Sequence, residues 1–188
     1  MPCYLKQPDS YSCGPVAIIN ALKWLGCKAD KTLLPTLKQK CKTRDPKKNK
    51  LKGTRVSDLI RGINWCVKEF GLLRNAFGRF QQLTLRDIEE AIDAGHAVLV
   101  AASWRDPIFG IRENHGFLIV KRYKKGELDL PENISHNRFW VANGPETLLK
   151  HKVPNKLTTI SRQYLRHICR HRSNGFAPCG WIIKKQPN

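Results

Sequence analysis

Gln7-Pro8-Asp9-Ser10-Tyr11-Ser12-Cys13-Gly14-Pro15-Val16-Ala17-Ile18-Ile19-Asn20-Ala21-Leu22-Lys23-Trp24-Leu25-Gly26 is the stretch on which the fold turns. Its first half is polar and irregular. From Ser12 onward it is an apolar run that predicts a helix opening at Cys13. Pro15 is tolerated in the first turn, where its missing N–H has no intrahelical partner. Gly26 ends the helix. Apolar residues lie on nearly every side, so the helix is expected to be buried. A lone cysteine is ordinarily a small hydrophobe, but one in the first turn of a helix faces free N–H groups and the positive end of the dipole. Those predict a lowered thiol pKa and a nucleophilic Cys13. Gln7, six residues upstream, offers a side-chain amide that could share the oxyanion of an attacked carbonyl with the Cys13 N–H.

Outward from this helix, Leu33, Leu34 and Leu37 predict a short helix inside an otherwise solvated basic segment, about 28–55. Val56, Leu59, Ile60, Ile63, Val67 and Phe70 recur at helical spacing up to Gly71, which predicts a helix over 56–70. Thr84 is a candidate cap for a further helix over 85–92, ending at Gly95. His96–Ser103 is a continuous apolar run, expected as a buried central strand. Gly116–Val120 and Phe139–Ala142 read as its neighbours, separated by a charged insertion of about 124–138. A basic helix is expected over 160–172 and a last strand over 180–183. Helices first and a mostly antiparallel sheet second make an α+β order. No repeat or linker divides residues 1–188, so one domain is expected.

Thirty-four Lys and Arg against fifteen Asp and Glu give a formal charge of +19. Between Lys28 and Arg55 there are eleven basic and two acidic residues, and none of the residues after Glu146 is acidic. Such a surface attracts polyanions, so DNA or RNA is the expected partner beyond a substrate. The plainer reading is that the charge aids solubility or suits an acidic substrate. Seven cysteines at irregular spacings form no Cys-x-x-Cys and read as free thiols of a reducing compartment. Cys169, His171 and Cys179 are the nearest approach to a metal cluster and lack zinc spacing; no metal or cofactor is expected. The N-terminus has no apolar signal core and no run is long enough to span a membrane, which predicts an intracellular chain.

Gln7-x5-Cys13-Gly14-Pro15-Val16-Ala17 resembles the Gln-x5-Cys-Gly-Pro-x-Ala signature of the bacteriocin-processing, double-glycine leader peptidases, within the papain-like cysteine peptidase superfamily. Ala94-Gly95-His96-Ala97-Val98-Leu99-Val100 and Asn114-His115-Gly116-Phe117-Leu118-Ile119-Val120 are similar to two further strands of that family, and Val141-Ala142-Asn143-Gly144-Pro145 falls where its third catalytic group lies. The resemblance implies a papain-like fold, with the nucleophile helix packed on the sheet. It implies His115 as base, Asn143 as the residue orienting the imidazole, and Gln7 in the oxyanion hole. The family usually has Asp where this chain has Asn143, and the gap from His115 is longer here. Asp129 and Asn137 are therefore alternatives for the third role.

His115 stands apart from the other histidines because it opens an apolar strand after a loop. His96 is the weaker alternative, and His136, His151, His167 and His171 lie in polar or basic surroundings. Together these residues predict a thiol protease cleaving peptide or isopeptide bonds. An acyltransferase could use the same groups. A different class is an inactive papain-like scaffold serving as a nucleic-acid-binding protein. A basic protease held on a polyanion fits a role beside a genome, for example inside a virus particle.

Overall fold

A computed structural model describes residues 4–47, 53–75, 85–105, 112–122, 138–142, 157–161, 165 and 179–185. Helix α1 (Cys13–Trp24) occupies the stretch where the sequence predicts it, and Gly14 through Leu22 are all buried. Leu25 carries the C-terminal cap, and Gly26 follows at φ 73°, a left-handed conformation that glycine adopts without a Cβ clash. A 3-10 turn (Lys31–Leu33) leads into α2 (Leu34–Lys40), and α3 spans Val56–Glu69. Leu37 and Cys41 anchor α2 in the core, so this part of the basic segment is docked structure as well as solvated surface.

Strand β1 (Leu72–Asn75) follows α3, then α4 (Leu85–Asp93), β2 (Ala97–Arg105), β3 (Arg112–Arg122), β4 (Arg138–Ala142), β5 (Leu157–Ser161) and β6 (Cys179–Lys185). The described strands form one sheet in the order β1-β6-β2-β3-β4-β5. Every neighbouring pair is antiparallel. The α+β expectation holds, and β2 is the interior strand its apolar run requires.

Register explains that run. Leu99 of β2 stands opposite Leu118 of β3 and Trp181 of β6, while Ala97 stands opposite Ile183. All of these join α1 in one buried cluster. Val98 alternates to the other face, opposite Ile119 and Ile182, and α4 also packs on β2 and β3, burying Ile88, Ala91 and Ile92. A strand covered on both faces has no polar side, so it loses the period-two pattern. Helix α1 meets β2 and β3 as well as α2 and α3, which makes it the middle layer of the molecule.

Two elements depart from the sequence expectation. Ile160 and Ser161 belong to β5 instead of opening a helix. The run Leu157-Thr158-Thr159-Ile160 is rich in β-branched residues, which suit a pleated strand, and it pairs with β4. Leu165 is helical and buried; the rest of the expected basic helix lies outside the described residues. Strand β1 is too short for a periodicity to be read from sequence. Among the described residues, no helix is long and apolar enough to cross a membrane.

Candidate active site

The segment before α1 is held from both ends. Asn20, buried in the apolar helix, accepts from Leu5 N at 2.7 Å through Oδ1 and donates to Leu5 O at 3.0 Å through Nδ2. One side chain thus completes both backbone groups of Leu5, in the way a neighbouring strand would. Tyr4 beside it is buried in the core. Two residues on, the half-buried Gln7 donates from Nε2 to the carbonyl of Asp9. The Asp9 carboxylate then accepts from Tyr11 N at 3.0 Å and from Ser12 N at 2.7 Å, which folds residues 9–12 into a turn ahead of the helix. Lys38 of α2 reaches the same carboxylate at 2.6 Å. Partial burial of Asp9 opposes its charge, but Lys38 and the Ser12 and Tyr11 donors hold it below its usual range.

The first N–H groups of α1 all have a destination. Val16 N donates to Ser12 O at 3.0 Å, and Pro15 has no N–H to place. The Cys13 and Gly14 N–H groups are directed at the Cys13 thiol, and Gly116 N–H joins them from β3. These are the donors that helix starts leave without intrahelical partners. They favour a thiolate, yet burial outweighs them and pushes the Cys13 thiol above its ordinary value, with Asp9 adding to the rise. The lowered pKa expected from the helix start alone is therefore not what the site provides. The helix start is covered by the lead-in segment and by β3, and desolvation penalises the charged sulfur.

Strand β3 passes directly over the helix start. A Cβ added to Gly116 would lie 3.4 Å from Gly14 Cα and 3.8 Å from the Cys13 carbonyl carbon, ordinary van der Waals distances that place this face of β3 against the helix start. His115 precedes Gly116 on β3 and pairs in register with Ala102 of β2. A position far removed in sequence is thereby brought beside Cys13. His96 is excluded from that neighbourhood. Its carbonyl accepts from Trp24 Nε1 at 3.2 Å, at the far end of α1 and about 16 Å from Cys13 along the helix axis. Partial burial, and then Lys184, hold its imidazole below the usual range.

Strand β4 runs toward the His115 end of β3, its last residue Ala142 opposite Leu118. Asn143 comes next in sequence and lies outside the described residues, as do Asp129 and Asn137. Of the four expected site residues, Cys13 and the backbone next to His115 meet at the start of α1, and Gln7 is hydrogen-bonded to Asp9 in the turn ahead of it. Sequence reasoning missed Asn20, Asp9 and Lys38. A buried Asn in an otherwise apolar helix was a readable signal, because a buried amide demands partners; the Asp9–Lys38 pair had none. No protein-family model matches the chain, and no curated protein matches it.

Proposed function

We propose that the chain is a cysteine hydrolase of papain-like organisation, acting on the carbonyl of a peptide or isopeptide bond. The observation that carries this reading is the packing of Gly116 on the start of α1, with its N–H directed at the Cys13 thiol and His115 adjacent to it on the strand. His115 takes the Cys13 proton, and the thiolate adds to the carbonyl. The oxyanion is held by the Gln7 amide and the Cys13 N–H. His115 passes its proton to the leaving amine as the C–N bond breaks and the thioester forms. Water, deprotonated by the same imidazole, then releases the acid and regenerates the thiol. Asn143 is the group assigned to orient the ring.

Successive strand positions alternate faces, so contact between the His115 imidazole and the Cys13 sulfur is a requirement of the reading. Alkylation of Cys13 by iodoacetamide tests that requirement. At pH 7 the wild-type rate should exceed that of His115→Ala by at least tenfold, as a thiolate–imidazolium pair demands. Equal rates would remove the base and leave only a half-buried thiol. Hydrolysis of a peptide-amide library beside Cys13→Ala identifies the reaction.

The charge of +19 supports a second element, localisation on nucleic acid. In its strongest form this is a different reading, a binding module with no chemistry. DNA binding with no Cys13-dependent cleavage would favour that module; cleavage stimulated by DNA would join the two.

A further inference from the structure

Lys38 crosses from the basic segment to the loop ahead of Cys13. Its ammonium sits 2.6 Å from Asp9 Oδ2 and 4.6 Å from the centre of the Tyr11 ring. The two charged side chains are only 27% and 20% exposed, so water screens the pair incompletely. Helix α2 cannot easily carry Lys38 away, because the neighbouring Leu37 is fully buried. Asp9 is also where the polar contacts of the loop meet. Its carboxylate collects Tyr11 N and Ser12 N, and its carbonyl takes the Gln7 amide. A group that fixes Asp9 therefore fixes the rotation of the Gln7 side chain. A carboxamide NH2 has two donors, so binding one to Asp9 O sets the direction of the other.

We infer that Lys38 is a positioning residue for the oxyanion donor, acting through Asp9 on Gln7. The inference rests on the hydrolase reading and adds to it the part played by the basic segment. Lys38 touches neither the thiol nor the carbonyl under attack. Its effect belongs to the step in which negative charge develops on oxygen, and not to ionisation of the sulfur.

Two reactions of Cys13 separate those steps. Alkylation by iodoacetamide needs the thiolate but forms no oxyanion. Acylation by p-nitrophenyl acetate transfers an acetyl group to sulfur, releases p-nitrophenolate, and passes through a tetrahedral oxyanion. In Lys38→Met acylation should fall about tenfold, the scale expected when a catalytic group is slightly misplaced. Alkylation should stay within about twofold of wild type, and Lys38→Arg should restore most of the acylation. Asp9→Asn, which keeps a side-chain acceptor for the Tyr11 and Ser12 amides but loses the charge, should lower acylation as Lys38→Met does, while its alkylation holds or rises, because a charge that lifts the Cys13 thiol is gone. Equal loss of both reactions, or loss of neither, overturns the positioning role and leaves the hydrolase reading standing. Wild-type protein whose Cys13 is alkylated at the His115→Ala rate and never acylated overturns both.

Discussion

At the residue scale the thiol of Cys13 is governed by two opposed effects. Burial pushes its pKa up, and backbone N–H groups from Cys13, Gly14 and Gly116 pull it down without prevailing. Only the thiolate reacts with an alkylating agent. In His115→Ala the rate should therefore rise with pH through a midpoint above the ordinary thiol value of about 8.5. On the hydrolase reading an imidazolium beside the sulfur favours the charged form in the wild type, and the midpoint should fall below that value. A stopped-time iodoacetamide series from pH 5 to 10 reads both. Cys41 supplies an internal control. Burial, then the charge of Asp58, pushes it up to about 12, and Cys66 is pushed up by burial and by the neighbouring Cys41 and Cys27. Peptide mapping at pH 8 should find Cys13 modified while Cys41 and Cys66 stay intact. Gln7→Ala should lower acylation by about a hundredfold, the effect of removing one oxyanion donor, with the iodoacetamide profile unmoved.

At the scale of elements, two helix positions carry more than their local propensity would assign. Asn20 ties the lead-in segment to α1 through both backbone groups of Leu5. Asn20→Leu suits the apolar helix better, but it strands a donor and an acceptor. It should cost about 2 kcal/mol in urea unfolding, and it should lower acylation because Gln7 hangs from the same segment. Gly62 lies inside α3, where alanine is ordinarily the better helix former. Here a Cβ would sit 2.1 Å from Cys41 Sγ and 3.2 Å from Ile18 Cδ1. Gly62→Ala should therefore destabilise by about 1–3 kcal/mol, as overpacking does, and lower the Tm. These elements also show how far the sequence could be read. Helices α1 and α3 were legible because a long apolar period and a glycine stop act within one segment. The strand Leu157–Ser161 was not, since its identity depends on pairing with Arg138–Ala142, and the basic residues that follow it resemble a solvated helix. The Lys38–Asp9 pair was equally hidden, because its two members lie on separate segments.

For the whole molecule, charge and layering give separate expectations. With a formal charge of +19, binding to double-stranded DNA should weaken steeply with salt, log Kd rising by about 0.9 per phosphate contact for each decade of salt concentration. Fluorescence anisotropy between 50 and 200 mM salt, values chosen to span the steep range, measures that slope. A slope near zero would detach the charge from nucleic acid. The α+β order and the helix that opens at Cys13 could be read from the chain. The meeting of that segment with β3 could not, because it is a property of the sheet register that brings Gly116 to Gly14. That contact has a consequence for how the protein comes into being. The two glycines lie about a hundred residues apart in sequence, so the loop between them must close before they touch, and such non-local contacts are slow to form. Helix α1 leaves the ribosome well before β3. On the hydrolase reading proposed above, a half-folded chain would hold Cys13 apart from His115, and hydrolytic competence would arrive only when the sheet is assembled.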